Sequence, residues 1–233
     1  FVQEARRTID YFTVQRGEKS PLRKAMRVLV QDAPEGQRLL ATFTYPANMQ
    51  GTSFLALMDR EDADDEYFLY VRTLRRVKRV PSSTENFMLR DFLSLYFLKP
   101  RAELWSFARA PVASPADASG EARGEAGDAG ARVIVATPRH RRTGELTGYA
   151  RKEHVVDPVR QVVTATRFYD DSGALVRRQV VLEHRQVDGV WLPWRFTTDD
   201  LREGVKATVE MRTLDLAPDL SDDTFTLRHL KRL

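Results

Sequence analysis

Four histidines are the side chains of this sequence best suited to metal binding or proton transfer, yet their spacing supports neither chemistry. They are His140, His154, His184 and His229, far apart along the chain. Zinc proteases place two histidines four residues apart in an H-E-x-x-H pattern, which does not occur here. Neither a G-x-S-x-G nucleophile elbow nor a phosphate-binding P-loop is present. We therefore interpret each histidine as a surface residue and predict no catalytic residue, no metal site and no cofactor.

Two charged stretches are the next candidates for ion binding. The acidic stretch Asp59–Glu66 lacks the glycine and the regular oxygen spacing of an EF-hand calcium loop, so we interpret it as a solvated hairpin tip. The basic stretch Arg72–Arg79 has the charge to meet phosphates or anionic head groups. A solvated face of a strand is the simpler interpretation of the same residues.

The composition excludes several classes of protein. With 37 Lys and Arg against 33 Asp and Glu, the net charge is only +4, which does not favour nucleic-acid binding. The absence of cysteine excludes disulfides and thiolate metal sites. No apolar run reaches the 18 residues that a membrane-spanning helix needs. Because the chain begins at Phe1, we expect that a preceding segment was removed, and a signal peptide stays an open alternative.

The segment Gly51–Val80 supplies the strands around which the rest is organised. Phe54–Met58 and Tyr67–Val71 have strand length, and both are apolar at nearly every position, so each strand should be buried on both faces. Val71–Val80 reads as a further strand with a basic outer face. Such a sheet needs helices above it or an enclosed apolar space beside it, and we favour the enclosed space.

The remaining sequence predicts an antiparallel meander of strands joined by short turns. Turn chemistry occurs at Asp170–Gly173 and Asp188–Gly189. Ser221 is predicted to cap a last short turn, from which Phe225 docks back onto the sheet. The other predicted strands are Thr8–Gln15, Leu22–Gln31, Gln37–Tyr45, Arg132–Thr137, Glu145–Val156, Gln161–Tyr169, Ala174–His184, Val190–Thr198 and Val205–Leu214.

Two segments depart from this strand pattern. Thr84–Lys99 has helical spacing of apolar residues and ends before Pro100, which predicts a helix. This helix is either ordinary core or a lid whose inner face contacts a lipid-like ligand. Ala110–Ala131 has almost no bulky side chains, so it cannot bury enough area to offset its ordering entropy, and we expect a surface loop.

Short motifs in a fixed order, over about two thirds of the chain, resemble the LolA-like branch of the bacterial LolA/LolB superfamily of outer-membrane lipoprotein-sorting proteins. The matching motifs are Phe43–Pro46 with Gly51–Thr52, Asp64–Asp65, Phe68–Val71, Leu74–Arg79, Phe87–Met88 with Asp91–Phe92, Tyr169–Gly173, Val187–Pro193 and Asp222–Leu230. Three features depart from the family: Leu89 replaces a glycine, Leu93–Leu98 replaces an acidic segment, and Ala110–Ala131 is an insertion.

This resemblance implies a mainly β fold in one domain spanning residues 1–233. The expected architecture is a single, strongly curved antiparallel sheet, a half-barrel closed by a helical plug or lid. The expected function is that of a periplasmic, non-enzymatic carrier holding the acyl chain of a lipid or lipoprotein. Expected partners are an inner-membrane transporter of the RND/MMPL type and an outer-membrane acceptor, with no nucleic acid. A membrane anchor stays open.

On this hypothesis aromatic and aliphatic side chains line the lipid-binding cavity. The candidates are Phe43, Phe54, Leu57, Phe68, Tyr70, Trp194 and Phe196 from the strands, with Met88, Phe92, Leu95 and Tyr96 from the lid. A shift of strand phase by one residue would exchange the whole strand set. Two alternatives remain: an accessory subunit of an envelope transporter, its interior filled by its own side chains, or a lipid-modifying enzyme with a buried His–carboxylate pair.

Overall fold

The computed structural model describes residues 5–16, 21–33, 36–59, 66–80, 105–110, 131–139 and 148–232, and this part of the chain is mainly β. The strands are β1 (Ala5–Arg16), β2 (Pro21–Ala33), β3 (Gly36–Tyr45), β4 (Ser53–Asp59), β5 (Glu66–Val71), β6 (Arg76–Val80), β7 (Trp105–Arg109), β8 (Arg132–Pro138), β9 (Arg151–Asp157), β10 (Val162–Tyr169), β11 (Leu175–Val187), β12 (Val190–Asp200) and β13 (Val205–Asp215). Short 3₁₀ turns cover Arg72–Leu74 and Asp222–Phe225, and the single-turn helix α1 covers Leu227–Leu230.

The chain divides into two compact units. The first comprises Phe1–Thr13, Arg23–Lys99 and Met211–Leu233, and the second comprises Val14–Leu22 and Pro100–Glu210. In the first unit the strand order is β6-β5-β4-β3-β2-β1, and in the second β7 to β13 lie side by side in chain order. The predicted antiparallel meander is therefore confirmed within each unit. The assignment of residues 1–233 to one domain stays a prediction.

The first unit's sheet buries apolar side chains on both faces, as predicted. Directly opposite residues of antiparallel strands share a face. Leu39 opposes Ala56, and Leu40 opposes Leu55, so these two pairs of apolar residues lie on opposite faces of the sheet. The Phe54 face carries side chains that are 0–6% exposed: Met26, Val28, Val30, Leu39, Ala41, Phe54, Ala56 and Met58. The Phe68 face carries Leu40, Leu55, Phe68 and Tyr70.

The C-terminal segment packs on the Phe68 face. Phe225 and Leu230 are almost fully buried in one cluster with that face. The predicted docking of Phe225 on the sheet is confirmed, and Ser221 occupies the predicted N-cap position of the turn Asp222–Phe225. The Ser221 side chain makes no capping hydrogen bond. Instead, the Thr226 hydroxyl caps α1 by accepting a hydrogen bond from the backbone N–H of His229 at 3.1 Å.

Three strand predictions need correction. Val71–Val80 is not one strand, because the 3₁₀ turn reverses the chain and β6 returns antiparallel to β5. Arg75 ends that turn with φ 49°, a left-handed conformation that glycine or asparagine usually marks in a sequence. β7 was not predicted, and residues 148–150 of the strand expected over Glu145–Val156 are not strand, so β9 starts at Arg151. The predicted helix Thr84–Lys99 and residues 111–130 of the predicted loop lie outside the described residues.

The second unit's predicted hairpin turns are confirmed. At Asp170–Gly173, the Asp170 carboxylate accepts hydrogen bonds from the backbone N–H groups of Ser172 and Ala174, while Gly173 has φ +80°. Asp188 and Gly189 both have positive φ, as a two-residue type I′ turn requires. These tight turns fix the register of β10 to β12 and therefore which side chains share a face.

Candidate functional site

The predicted wall residues of the first unit lie on two opposite faces. Phe43 pairs with Met26, and Phe54 stacks on Tyr67 with ring centroids 5.9 Å apart, both on the Phe54 face. Leu57, Phe68 and Tyr70 lie on the Phe68 face, packed in or against the cluster that contains Phe225 and Leu230. The register therefore leaves Phe43 and Phe54 as the wall candidates of one face.

The other two predicted strand residues of the site, Trp194 and Phe196, belong to the second unit. In the second unit, Phe196 is 2% exposed, whereas Trp194 is partly exposed and its ring lies 4.4 Å from the Arg185 guanidinium carbon. The lid candidates Met88, Phe92, Leu95 and Tyr96 lie outside the described residues.

The second unit contains a site that the sequence analysis missed. One cross-strand row of directly opposed residues runs through five strands: Ala136, Lys152, Phe168, Arg177 and Asp200. The neighbouring row on the same face contains His154 and Thr166. We call this surface the Lys152 face. It combines ionisable groups with buried aromatic rings, an arrangement typical of binding sites.

Lys152 is partly exposed, and its side chain lies against three aromatic rings. Its ammonium nitrogen lies 4.0 Å from the ring centroid of Trp105, 5.8 Å from that of Tyr149 and 5.7 Å from that of Phe168. The Arg139 side chain donates a hydrogen bond to the Trp105 carbonyl at 3.0 Å, which helps to hold β7 beside β8. Among the described residues, no carboxylate forms an ion pair with Lys152. Burial lowers the pKa of Lys152 to about 8.

Arg177 and Asp200 form a buried ion pair on the same face. The Arg177 Nη2 atom donates to Asp200 Oδ2 at 2.7 Å, and the two side chains are 3% and 9% exposed. The other carboxylate oxygen, Oδ1, accepts hydrogen bonds from the backbone N–H groups of Arg202 and Glu203. Both oxygens of Asp200 are therefore engaged in holding β11, β12 and the turn that follows.

His154 is not the surface residue that we predicted. Its Nδ1 atom lies 3.0 Å from the Thr166 hydroxyl. Burial and the positive charge of Lys152 lower the pKa of His154 to about 4, so the ring is neutral at neutral pH. The enzyme alternative requires a buried histidine paired with a carboxylate, whereas the hydrogen-bonding partner of His154 is a hydroxyl. This geometry offers no activated base.

Elsewhere, the described residues offer little for other chemistry. Within the described residues, no group of three His, Asp or Glu side chains lies close enough together to bind a metal ion. No described helix has the length and apolar character to cross a membrane. A cleft of about 410 Å³ near Arg72 and Arg75 is lined by polar side chains, which suits an acyl chain poorly.

Lys152→Met is expected to stabilise the ligand-free protein at pH 7, by on the order of 1 to 3 kcal/mol, because it removes a charge that burial penalises. The folded-state pKa of about 8 lies below the ordinary value of 10.5. Wild-type stability therefore rises as the pH increases from 8 to 10.5, where the folded protein loses this proton before the unfolded chain does. The advantage of the variant should disappear over that range.

Urea denaturation of both proteins at pH 7 and pH 10 measures this change. Lys206→Met, at an exposed position of β13, is the matched control and should show no such pH dependence. A stability difference between wild type and Lys152→Met that stays constant with pH would contradict the assignment of a desolvated ammonium.

Solved structures share this fold over nearly the whole chain. A DUF1329 family protein from Desulfovibrio piger is 19% identical with a TM-score of 0.79, covering 98% of this chain and 91% of that one. A putative outer membrane lipoprotein-sorting protein domain from Vibrio parahaemolyticus is 18% identical with a TM-score of 0.79, covering 97% and 92%. A LolA superfamily protein from Nitrosomonas europaea is 14% identical with a TM-score of 0.65, covering 98% and 93%.

These likenesses define the class of protein: the fold is LolA-like, and the resemblance predicted from the order of the motifs is confirmed. The family match is consistent with it. Residues 115–232, which are 118 of the 233 residues, match a family model whose description reads "-like: Uncharacterized protein", and the chain belongs to that family. Among curated proteins, none matches this chain.

Proposed function

We propose that this protein is a periplasmic, non-enzymatic carrier that binds the acyl chain of a lipid or lipoprotein and moves it between the membranes of the cell envelope. The observation that carries the proposal is the Phe54 face. It is a continuous apolar surface over three neighbouring strands, on a fold shared with a lipoprotein-sorting protein domain. The half-barrel closed by a helical lid, with Met88, Phe92, Leu95 and Tyr96 facing the ligand, belongs to the same proposal.

The energetics of transfer favour such a surface. Each methylene group that leaves a membrane for water costs about 0.8 kcal/mol, so a chain of about sixteen carbons needs roughly 12 kcal/mol of replacement burial. Phe43, Phe54 and the flexible thioethers of Met26 and Met58 provide an adaptable apolar wall. Replacement of membrane contacts by protein contacts requires no covalent step, so the carrier needs no catalytic residue.

The burial of the Phe54 face also supports a second candidate function. Its core side chains are only 0–6% exposed, so a carrier must open this face before an acyl chain can enter. An accessory subunit of an envelope transporter, with an interior filled by its own side chains, requires no opening. An exporter of the RND/MMPL type and an outer-membrane acceptor are the partners proposed for either function.

The test is acyl-chain binding by the delipidated protein. Native mass spectrometry first identifies lipids that copurify, and displacement of a fluorescent fatty acid then measures affinity. Phe54→Ala is expected to change the probe's Kd about five- to tenfold, because it reshapes the wall, whereas Phe68→Ala on the opposite face should leave it unchanged. Both phenylalanines are at least nine-tenths buried, so the pair is matched.

Circular dichroism at the assay temperature establishes that each variant is folded. Wild-type protein that copurifies with no lipid and never takes up the probe would overturn the carrier function in favour of the accessory subunit. Equal effects of the two substitutions on probe affinity would show that the Phe54 face is not the binding wall.

A further inference from the structure

The position of Lys152 is not explained by acyl-chain burial. Its ammonium lies over the Trp105 ring at 4.0 Å and beside two further rings, in the interior of a cross-strand row. Removing a charge from water is costly unless it is paired, and cation–π contacts compensate only in part. A binding protein can keep such a charge because a ligand compensates it.

The charged neighbours on the same face do not neutralise Lys152. Asp200 is the carboxylate in the cross-strand row of Lys152. Its Oδ2 atom binds Arg177, and its Oδ1 atom accepts hydrogen bonds from two backbone N–H groups. His154, two residues along β9, is bonded to the Thr166 hydroxyl. Arg177 and Asp200 cancel each other, and the exposed Arg109 at the β7 end of the His154 row adds a second positive charge, so no described group of these rows is left to neutralise Lys152.

We propose that Lys152 binds the anionic group, a carboxylate or a phosphate, of an amphiphilic ligand, and that Trp105, Tyr149 and Phe168 contact the carbons next to it. This inference rests on the proposed carrier function and names the chemical class of the cargo: an anionic lipid. An anion against the ammonium forms a charge-assisted contact in an environment of low polarity, where such contacts are strongest. The three rings reduce the access of water to that contact.

Paired ligands of equal chain length test the inference on the full chain. Palmitate is compared with its uncharged methyl ester, and lysophosphatidic acid with monopalmitoylglycerol, each by displacement of a neutral fluorescent acyl probe. We expect wild type to prefer the anionic member of at least one pair by about tenfold or more. Lys152→Met should abolish that preference without changing the affinity for the uncharged member, and Lys152→Arg should retain most of it.

Arg185→Met is the matched control, because Arg185 is an exposed cation of the same unit that also lies against a tryptophan ring. It should leave the preference unchanged. The tighter anionic ligand identifies the source of the charge, and competition by inorganic phosphate alone would overturn the requirement for an acyl chain.

The outcomes separate this inference from the proposed function. Wild-type protein that binds no acyl ligand defeats the carrier function itself. Wild type that binds both members of each pair equally, or Lys152→Met that keeps the preference for the anion, defeats the head-group site and leaves the carrier function standing. A third outcome is that Lys152→Met melts like wild type and loses the same affinity for charged and uncharged ligands. Lys152 would then position the aromatic rings and would not bind the anionic group.

Discussion

Asp200→Ala is expected to lower the free energy of unfolding by about 3 to 5 kcal/mol. The guanidinium of Arg177 is only 3% exposed, and the substitution takes away the carboxylate that it binds at 2.7 Å. The backbone N–H groups of Arg202 and Glu203 lose their acceptor at the same time. The cost therefore comes from leaving buried donors without this partner, and it should appear as a reduced urea midpoint.

The adjacent ion pair supplies the matched control. Arg178 and Asp199 are one residue along the same two strands and lie 2.9 Å apart, with side chains 36% and 26% exposed. Water screens this pair, so Asp199→Ala should cost no more than about 1 kcal/mol. Asp200→Asn keeps an oxygen for the turn and removes the charge, so its cost should fall between the two. Similar costs for Asp199→Ala and Asp200→Ala would show that burial does not set the strength of the pair.

The strands of the first unit could be predicted because apolar residues fill both of their faces. For the same reason, the sequence could not show which residues of a strand share a face of the sheet. Phe68 and Leu69 are both apolar, so composition alone cannot say which of them faces Leu55. The register answers this by placing Phe68 opposite Leu55 and Leu69 opposite Phe54. The predicted wall set therefore combined residues from two faces, which only long-range pairing could separate.

The Lys152 face was missed for the opposite reason. Residues 151–154 read Arg-Lys-Glu-His, a polar run with no apolar member to mark an inner face. In the structure Lys152 and His154 face the rings, whereas Glu153 on the other face accepts a hydrogen bond from the Tyr169 hydroxyl at 2.8 Å. The alternation of Thr166 and Phe168 with charged Arg167 on the partner strand was the available signal.

The reversal at Arg72–Leu74 could not be predicted from turn chemistry. Arg75 takes the left-handed conformation without the glycine or asparagine that normally identifies it. The pairing of β5 with β6 stabilises the turn, and the residues of the turn do not themselves indicate that the chain reverses there. The turns at Gly173 and Gly189 could be predicted because their glycines supply positive φ at no steric cost.

Phe225→Ala is expected to cost about 3 to 5 kcal/mol of unfolding free energy. The ring is 3% exposed and is packed with Leu40, Leu55, Phe68 and Leu230, so its removal leaves a cavity beneath the C-terminal segment. Leu227→Ala is the control two residues away, since Leu227 is 38% exposed, and it should cost under about 1 kcal/mol.

Phe225→Ala and Phe54→Ala together connect stability with the proposed function, when urea denaturation is repeated with a saturating acyl ligand. A ligand that binds only the folded protein stabilises it by RT ln(1 + L/Kd), where L is the free ligand concentration, so the gain increases with the logarithm of its affinity. The Phe68 face is closed by the chain's own C-terminus, so the ligand should not refill the cavity left by Phe225→Ala, and this variant should gain only what wild type gains. Phe54→Ala should depart from the wild-type gain, because that substitution lies in the proposed wall. A departure in Phe225→Ala with none in Phe54→Ala would move the acyl-binding surface from the Phe54 face to the Phe68 face.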